Sequence, residues 1–133
     1  ELKAVYWSEG QYLPEALSKI NHILRDHRSG EVAPIDARLL DLLHELSTHM
    51  GPHSRFHVIS GYRSAHTNAV MRQRSTGIAS NSLHTQGRAI DIRLPGHCLS
   101  SLHRAAVQLR GGGVGYYPRS NFVHMDTGRV RYW

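Results

Sequence analysis

The stretch Ser82-Leu83-His84-Thr85-Gln86-Gly87-Arg88-Ala89-Ile90-Asp91-Ile92-Arg93-Leu94 organises the whole chain. From Arg88 to Leu94 the residues alternate. Arg88, Ile90, Ile92 and Leu94 share one face and Ala89, Asp91 and Arg93 the other, which predicts a β-strand with one side in a core. Asp91 then stands in the middle of a core strand, where an ionised carboxylate is costly unless donors or a cation meet it. Backbone N–H groups, an arginine or a metal ion would each satisfy it. Ala89 leaves room beside the carboxylate, and Gly87 lets the chain turn sharply enough for His84 to fold back towards Asp91.

Two other stretches carry comparable chemistry. In Asn121-Phe122-Val123-His124-Met125-Asp126, a strand would project His124 and Asp126 from one face, with Val123 and Met125 behind. His84, Asp91 and His124 together would make a site of two nitrogens and one oxygen, leaving a fourth position for water as catalytic zinc sites do. Asp126 is then either a general base or an acceptor that orients a ligand histidine. In Ser60-Gly61-Tyr62-Arg63-Ser64, Arg63 follows an expected strand. It is either a surface arginine at a turn or a group that holds a carboxylate or a developing oxyanion.

The remaining segments complete the expected order. An extended segment covers Leu2 to Trp7 with a turn at Glu9-Gly10, and Pro14 opens a helix whose apolar stripe runs to about His27. Asp36 caps a second helix, with Leu39, Leu40, Leu42, Leu43 and Leu46 inward, that ends near Gly51-Pro52. His44 and His49 on it read as solvated or half-packed imidazoles. Phe56 to Ile59 reads as a buried strand, Ala65 to Arg74 as a helix, Ser75 to Ser82 as a polar loop and Leu99 to Leu109 as a helix stopped by Gly111-Gly112-Gly113. Val114 to Tyr117 and Phe122 to Asp126 form a closing hairpin around Pro118-Arg119-Ser120. The order predicts an α+β fold, a small antiparallel sheet with flanking helices.

Length and composition set the bounds. A chain of 133 residues with 40% apolar and 20% charged residues is one domain with a real core, and no apolar run reaches the ~20 residues of a membrane span. The net charge of +6 comes almost wholly from arginine, since Lys3 and Lys19 are the only lysines. Such a surface favours anionic partners. The arginines form no basic block and no nucleic-acid recognition motif accompanies them, so a nucleic-acid-binding domain ranks low. Cys98 stands alone, which excludes an intrachain disulfide and a cysteine zinc cluster.

Gly-Tyr-Arg-Ser, then Ser-x-His-x-x-Gly-x-Ala-x-Asp, then Phe-Val-His resembles the zinc peptidases of the D-alanyl-D-alanine carboxypeptidase superfamily. That superfamily shares its fold with the hedgehog signalling domain. Through Ile59 to Ser64, Ser82 to Asp91 and Gly112 to Gly128, the chain is most similar to periplasmic murein endopeptidases of the MepK type, over nearly its whole length. The resemblance implies a single peptidase domain over residues 1–133, with one Zn2+ on His84, Asp91 and His124. Arg63 would face the scissile carbonyl or a substrate carboxylate. Ser82, Tyr62, Tyr116 and Asn121 would touch substrate or the ligands. Asn121 occupies the position where many superfamily members carry the acidic base, so the role of base passes to Asp126, with His66 a weaker candidate. The implied substrate is the peptide cross-link of peptidoglycan, preferably the 3-3 bond between two meso-diaminopimelates, followed by links that end in D-alanine. The implied location is the periplasm, after export with the leader removed. The amide at Asn121 also leaves open a zinc-bearing peptidoglycan-binding module without catalysis.

Overall fold

The computed structural model describes residues 5–133, so Leu2 to Ala4 of the expected first segment lie outside the described residues. The chain opens with a hairpin, β1 (Trp7–Ser8) and β2 (Gln11–Tyr12), turned by Glu9 and Gly10, both at positive φ. The Tyr6 and Tyr12 hydroxyls donate to the two oxygens of Asp41 at 2.9 and 2.7 Å, which ties this hairpin to the second helix.

Helix α1 (Pro14–Ile23) starts at its proline as the sequence predicts but stops four residues early. The Asp26 carboxylate explains the stop. It accepts the N–H groups of Arg28, Ser29 and Ser64, and so holds the chain in a turn where the helix would otherwise continue. Burial alone would push its pKa up, but the bonds from Ser64, Thr67, Arg28 and Ser29 win and hold it well below the usual carboxylate range. Helix α2 (Ala37–Met50) is capped by Asp36, which accepts from Arg38 N–H at 3.0 Å. His44 and His49 are exposed on it.

A five-stranded sheet follows in the order β3-β4-β6-β5-β7. Its strands are β3 (His57–Ser60), β4 (Ala89–Arg93), β5 (Gly113–Tyr117), β6 (Phe122–Asp126) and β7 (Arg131–Tyr132). Helix α3 (Ala65–Arg74) lies between β3 and β4, and α4 (Leu99–Leu109) between β4 and β5. The α+β fold of helices around a small sheet is therefore as expected. The pairs β3–β4, β4–β6 and β5–β6 are antiparallel, and β7 adds a parallel edge against β5 that the sequence did not reveal. One sheet face supplies Ile90, Ile92, Val114, Val123 and Met125 to a core shared with Leu39, Leu40 and Leu46 of α2 and Leu102 and Ala106 of α4.

Strand β3 is a correction. Its run Phe56-His57-Val58-Ile59 reads as buried, but β3 is an edge strand, and Val58 and Ile59 keep 42% and 44% of their surface exposed. A short apolar run has no period that separates a central strand from an edge strand, and here pairing exists on one side only.

Candidate metal centre

The register builds the site. Asp91 on β4 pairs with His124 on β6, and His124 pairs with Gly115 on β5, so these three share one rung on the face away from the core. A register shift in β3 sets Ser60 beside Asp91. His84 arrives from a 3-10 turn at Leu83–Gln86, whose capping Ser82 hydroxyl accepts His84 N–H at 3.3 Å. Gly87 closes that turn at φ +67, and its carbonyl accepts Asp36 N–H at 2.8 Å. A Cβ on Gly87 would run into the carbonyl oxygen of Pro34. Gly87→Ala is accordingly expected to cost about 2–4 kcal/mol in a denaturant titration, from left-handed strain plus the clash.

Each imidazole is oriented from outside. His84 Nδ1 donates to the Gly61 carbonyl at 2.8 Å, and Arg63 N–H donates to the His84 carbonyl at 3.0 Å. His124 Nε2 donates to Asp126 Oδ2 at 2.7 Å. The opposite nitrogens, His84 Nε2 and His124 Nδ1, then lie 3.2 and 3.0 Å from the same Asp91 Oδ1. One ligand atom from each of these three buried residues falls within 4.8 Å of the others. Two neutral imidazoles held in these tautomers aim lone pairs at one carboxylate oxygen. That arrangement is unfavourable without a cation or an added proton between them. The donor set therefore fits a divalent ion, and two imidazoles with one carboxylate suit zinc. For Asp91, burial raises the pKa, but an added proton on His124 or His84 would donate to the carboxylate and bring positive charge beside it, and these effects outweigh burial and hold the pKa at about 2, which favours the ionised carboxylate. For His124, burial lowers the pKa and the carboxylates of Asp126 and Asp91 raise it more.

Asp126 lies behind His124, enclosed by its partners. Its side chain is fully buried and both oxygens are filled. Oδ1 accepts from the N–H groups of Gly113 and Gly128, both at 2.9 Å, and from Arg131 Nη1 at 3.0 Å. Oδ2 accepts from His124 and from Arg131 Nη2 at 2.9 Å. Burial alone would raise its pKa, but the bonds from His124, Arg131, Gly113 and Gly128 hold it well below the usual range. A carboxylate so depressed and so enclosed makes a poor base. The geometry is that of an acceptor that fixes the orientation and tautomer of His124.

Arg63 is buried beside the site, with Nη1 donating to Asn68 Oδ1 at 2.9 Å and Nη2 reaching Ser60 Oγ at 3.4 Å. Burial lowers its pKa, while Asp91 acts in the opposite sense. The other residues of the sequence-derived set separate. Ser82 serves as the cap of the 3-10 turn. Tyr62 packs against the core, with its N–H on the Leu24 carbonyl. Tyr116 pairs with Val123 on the core face, away from the metal rung, and stacks on His103 at 4.4 Å. Asn121 is exposed in the β5–β6 turn at φ +56, a conformation asparagine tolerates, so the turn accounts for the amide there. His66 is exposed on α3.

Sequence reasoning missed the aromatic wall. Trp133 lies over Gly115, where a Cβ would meet its ring at 2.6 Å, and its centroid is 5.0 Å from that of His124. Its indole N–H donates to Tyr117 OH at 2.6 Å, and Arg131 lies over the ring at 4.9 Å. The one sequence signal was a bare glycine between β-residues at Gly115, which marks close approach by another group.

Comparison with known proteins identifies the family. The family model described as Peptidoglycan L,D-endopeptidase MepK matches residues 1–133. Peptidoglycan L,D-endopeptidase MepK of Escherichia coli strain K12 is 46% identical over 132 residues, which span 99% of this chain and 72% of the relative. The probable peptidoglycan L,D-endopeptidase MepK of Haemophilus influenzae is 45% identical over 123 residues, covering 92% of this chain and 66% of the relative.

Proposed function

Because the chain belongs to the MepK family of peptidoglycan L,D-endopeptidases, we propose that it is a murein endopeptidase that uses zinc held by His84, Asp91 and His124. Its preferred substrate is the 3-3 bond between two meso-diaminopimelates. Residues 1–133 act as one peptidase domain, and the reaction takes place in the periplasm, where peptidoglycan lies. No helix among the described residues is long and apolar enough to cross a membrane. The observation that carries the proposal is the pair of imidazoles turned by Gly61 and Asp126 so that their inner nitrogens meet at one Asp91 oxygen.

Zinc at this position supplies Lewis acidity, which makes water acidic enough to attack near neutral pH and polarises the amide carbonyl. The chain's own residues do the rest. Gly61 and Asp126 fix the tautomers and ring planes of the two histidines, so the donor atoms need little reorganisation. Arg63, held by Asn68 and Ser60 next to the rung, stabilises negative charge that develops on the amide oxygen. The surplus of arginine over acidic groups favours the approach of carboxylate-rich peptidoglycan.

Purified protein stripped with a chelator and then supplied with zinc provides the test, on muropeptide dimers of defined linkage. Monomers are expected from the 3-3 dimer with zinc and none without it. Equal rates on dimers linked through D-alanine would overturn the linkage preference, and cleavage by the stripped protein would overturn the role of zinc. Binding of dimers without any turnover would favour the non-catalytic module.

A further inference from the structure

A second row of side chains runs beside the metal rung on the same face of the sheet. Arg93 ends β4 two residues after Asp91 and pairs with His57 of β3. Two residues along a strand place them about 7 Å apart. Continuing the β4–β6 register by one residue sets Arg93 beside Phe122, which pairs with Tyr117 and stacks on it at 4.6 Å. Tyr117 is in turn tied to Trp133. The row thus consists of one guanidinium followed by an aromatic ledge that continues to His124.

Arg93 is anomalous within this row. Its Nε is buried and has no hydrogen-bond partner among the described residues. Arg63 has Asn68 and Ser60, Arg88 has Thr127 and Asp36, and Arg131 has Asp126. A buried guanidinium N–H without an acceptor costs free energy, and a planar carboxylate is the group that its fork matches. The aromatic ledge beside it suits methylene carbons. A ligand that offers both is an aliphatic arm that ends in a carboxylate.

We propose that Arg93, with the Phe122–Tyr117 ledge, forms a subsite for the free carboxylate that diaminopimelate carries beside the scissile amide, and so makes this chain selective for unamidated cross-links. The inference rests on the proposed function, because it names the part of the substrate that this site recognises. Arg93 is a specificity-determining residue and takes no part in bond breaking.

The experiment compares zinc-loaded wild type, Arg93→Met and Arg93→Lys on two 3-3 muropeptide dimers, one with free and one with amidated diaminopimelate carboxyls. Wild type is expected to favour the free form in kcat/KM by about ten- to a hundredfold, the size of one charge-assisted contact. In Arg93→Met the ratio falls to near one, and the loss appears in KM rather than kcat. Arg93→Lys, which keeps the charge and loses the fork, lies between. A wild type that does not discriminate, or an Arg93→Met that keeps the full ratio, overturns the proposal. Zinc content and circular dichroism identify a variant that fails to fold. If Arg93→Met fails, Arg93→Lys decides, and an undiminished ratio there counts against the subsite. If wild type cleaves neither dimer, the proposed activity fails on its own, and the same dimers are compared by calorimetric binding. Tighter binding of the free form to wild type, lost in Arg93→Met, supports the subsite, and equal binding overturns it.

Discussion

Replacing His84 with alanine is expected to lower cross-link cleavage by at least about a thousandfold, because Lewis-acid activation is worth several kcal/mol and depends on the ion staying in place. Zinc content should fall from one ion per chain to near zero, measured by mass spectrometry of the dialysed protein. The remaining donors, Asp91 Oδ1 and His124 Nδ1, make a two-point site that cannot hold zinc against dialysis. A second cost arises in the fold, where the Gly61 carbonyl loses its partner at 2.8 Å and about 1–3 kcal/mol of stability goes with it. Retention of both zinc and turnover would show that His84 is not a ligand.

Asp126→Asn is expected to weaken zinc binding about ten- to a hundredfold, measured by competition with a chelating dye, and to reduce turnover in step with occupancy. An asparagine in this place keeps the shape and loses the charge, so Arg131 and His124 lose their anionic partner in a buried setting. The cost to stability is about 3–5 kcal/mol, as for other broken buried pairs, and thermal unfolding of the metal-free protein reports it. The pH dependence follows from the depressed pKa of Asp126. A carboxylate with a lowered folded-state pKa contributes stability that is present above its unfolded value near ~3.9 and is lost as pH falls through the folded value. The gap between wild type and Asp126→Asn should therefore close on acidification below about pH 4. If the variant kept its zinc affinity and lost only kcat, Asp126 would be a base after all.

The legible parts of the fold were those where a local pattern decides the outcome. Helices α3 and α4 have the predicted bounds, since caps and breakers such as Ser64 and Gly111 act within a few residues. The β4 alternation was legible because Asp91 interrupts an apolar strand only on the face away from the core. Where neighbours distant in sequence decide, the chain alone misled. Helix α1 was overextended because the carboxylate that ends it bonds to Ser64, far along the chain. Strand β3 looked buried because nothing in Val58-Ile59 says that its outer side has no partner. Tyr116 was placed at the site because a motif carries no parity, and only the pairing with Val123 turns it to the core.

By itself the sequence determined the α+β class and the family resemblance, and it singled out His84, Asp91 and His124 as the candidate cluster that the structure brings together, because residue type, spacing and strand period are local properties. The tertiary structure alone decided which nitrogen of each histidine faces inward, that both Asp126 oxygens are filled by His124, Arg131 and backbone N–H groups, and that Trp133 lies against His124. The physical reason is the same in each case. A tautomer, a suppressed pKa and an orphaned guanidinium Nε are set by hydrogen bonds and burial contributed by distant segments, here Gly61, Arg131 and the β4–β6–β5 register, and these exist only once the sheet has formed.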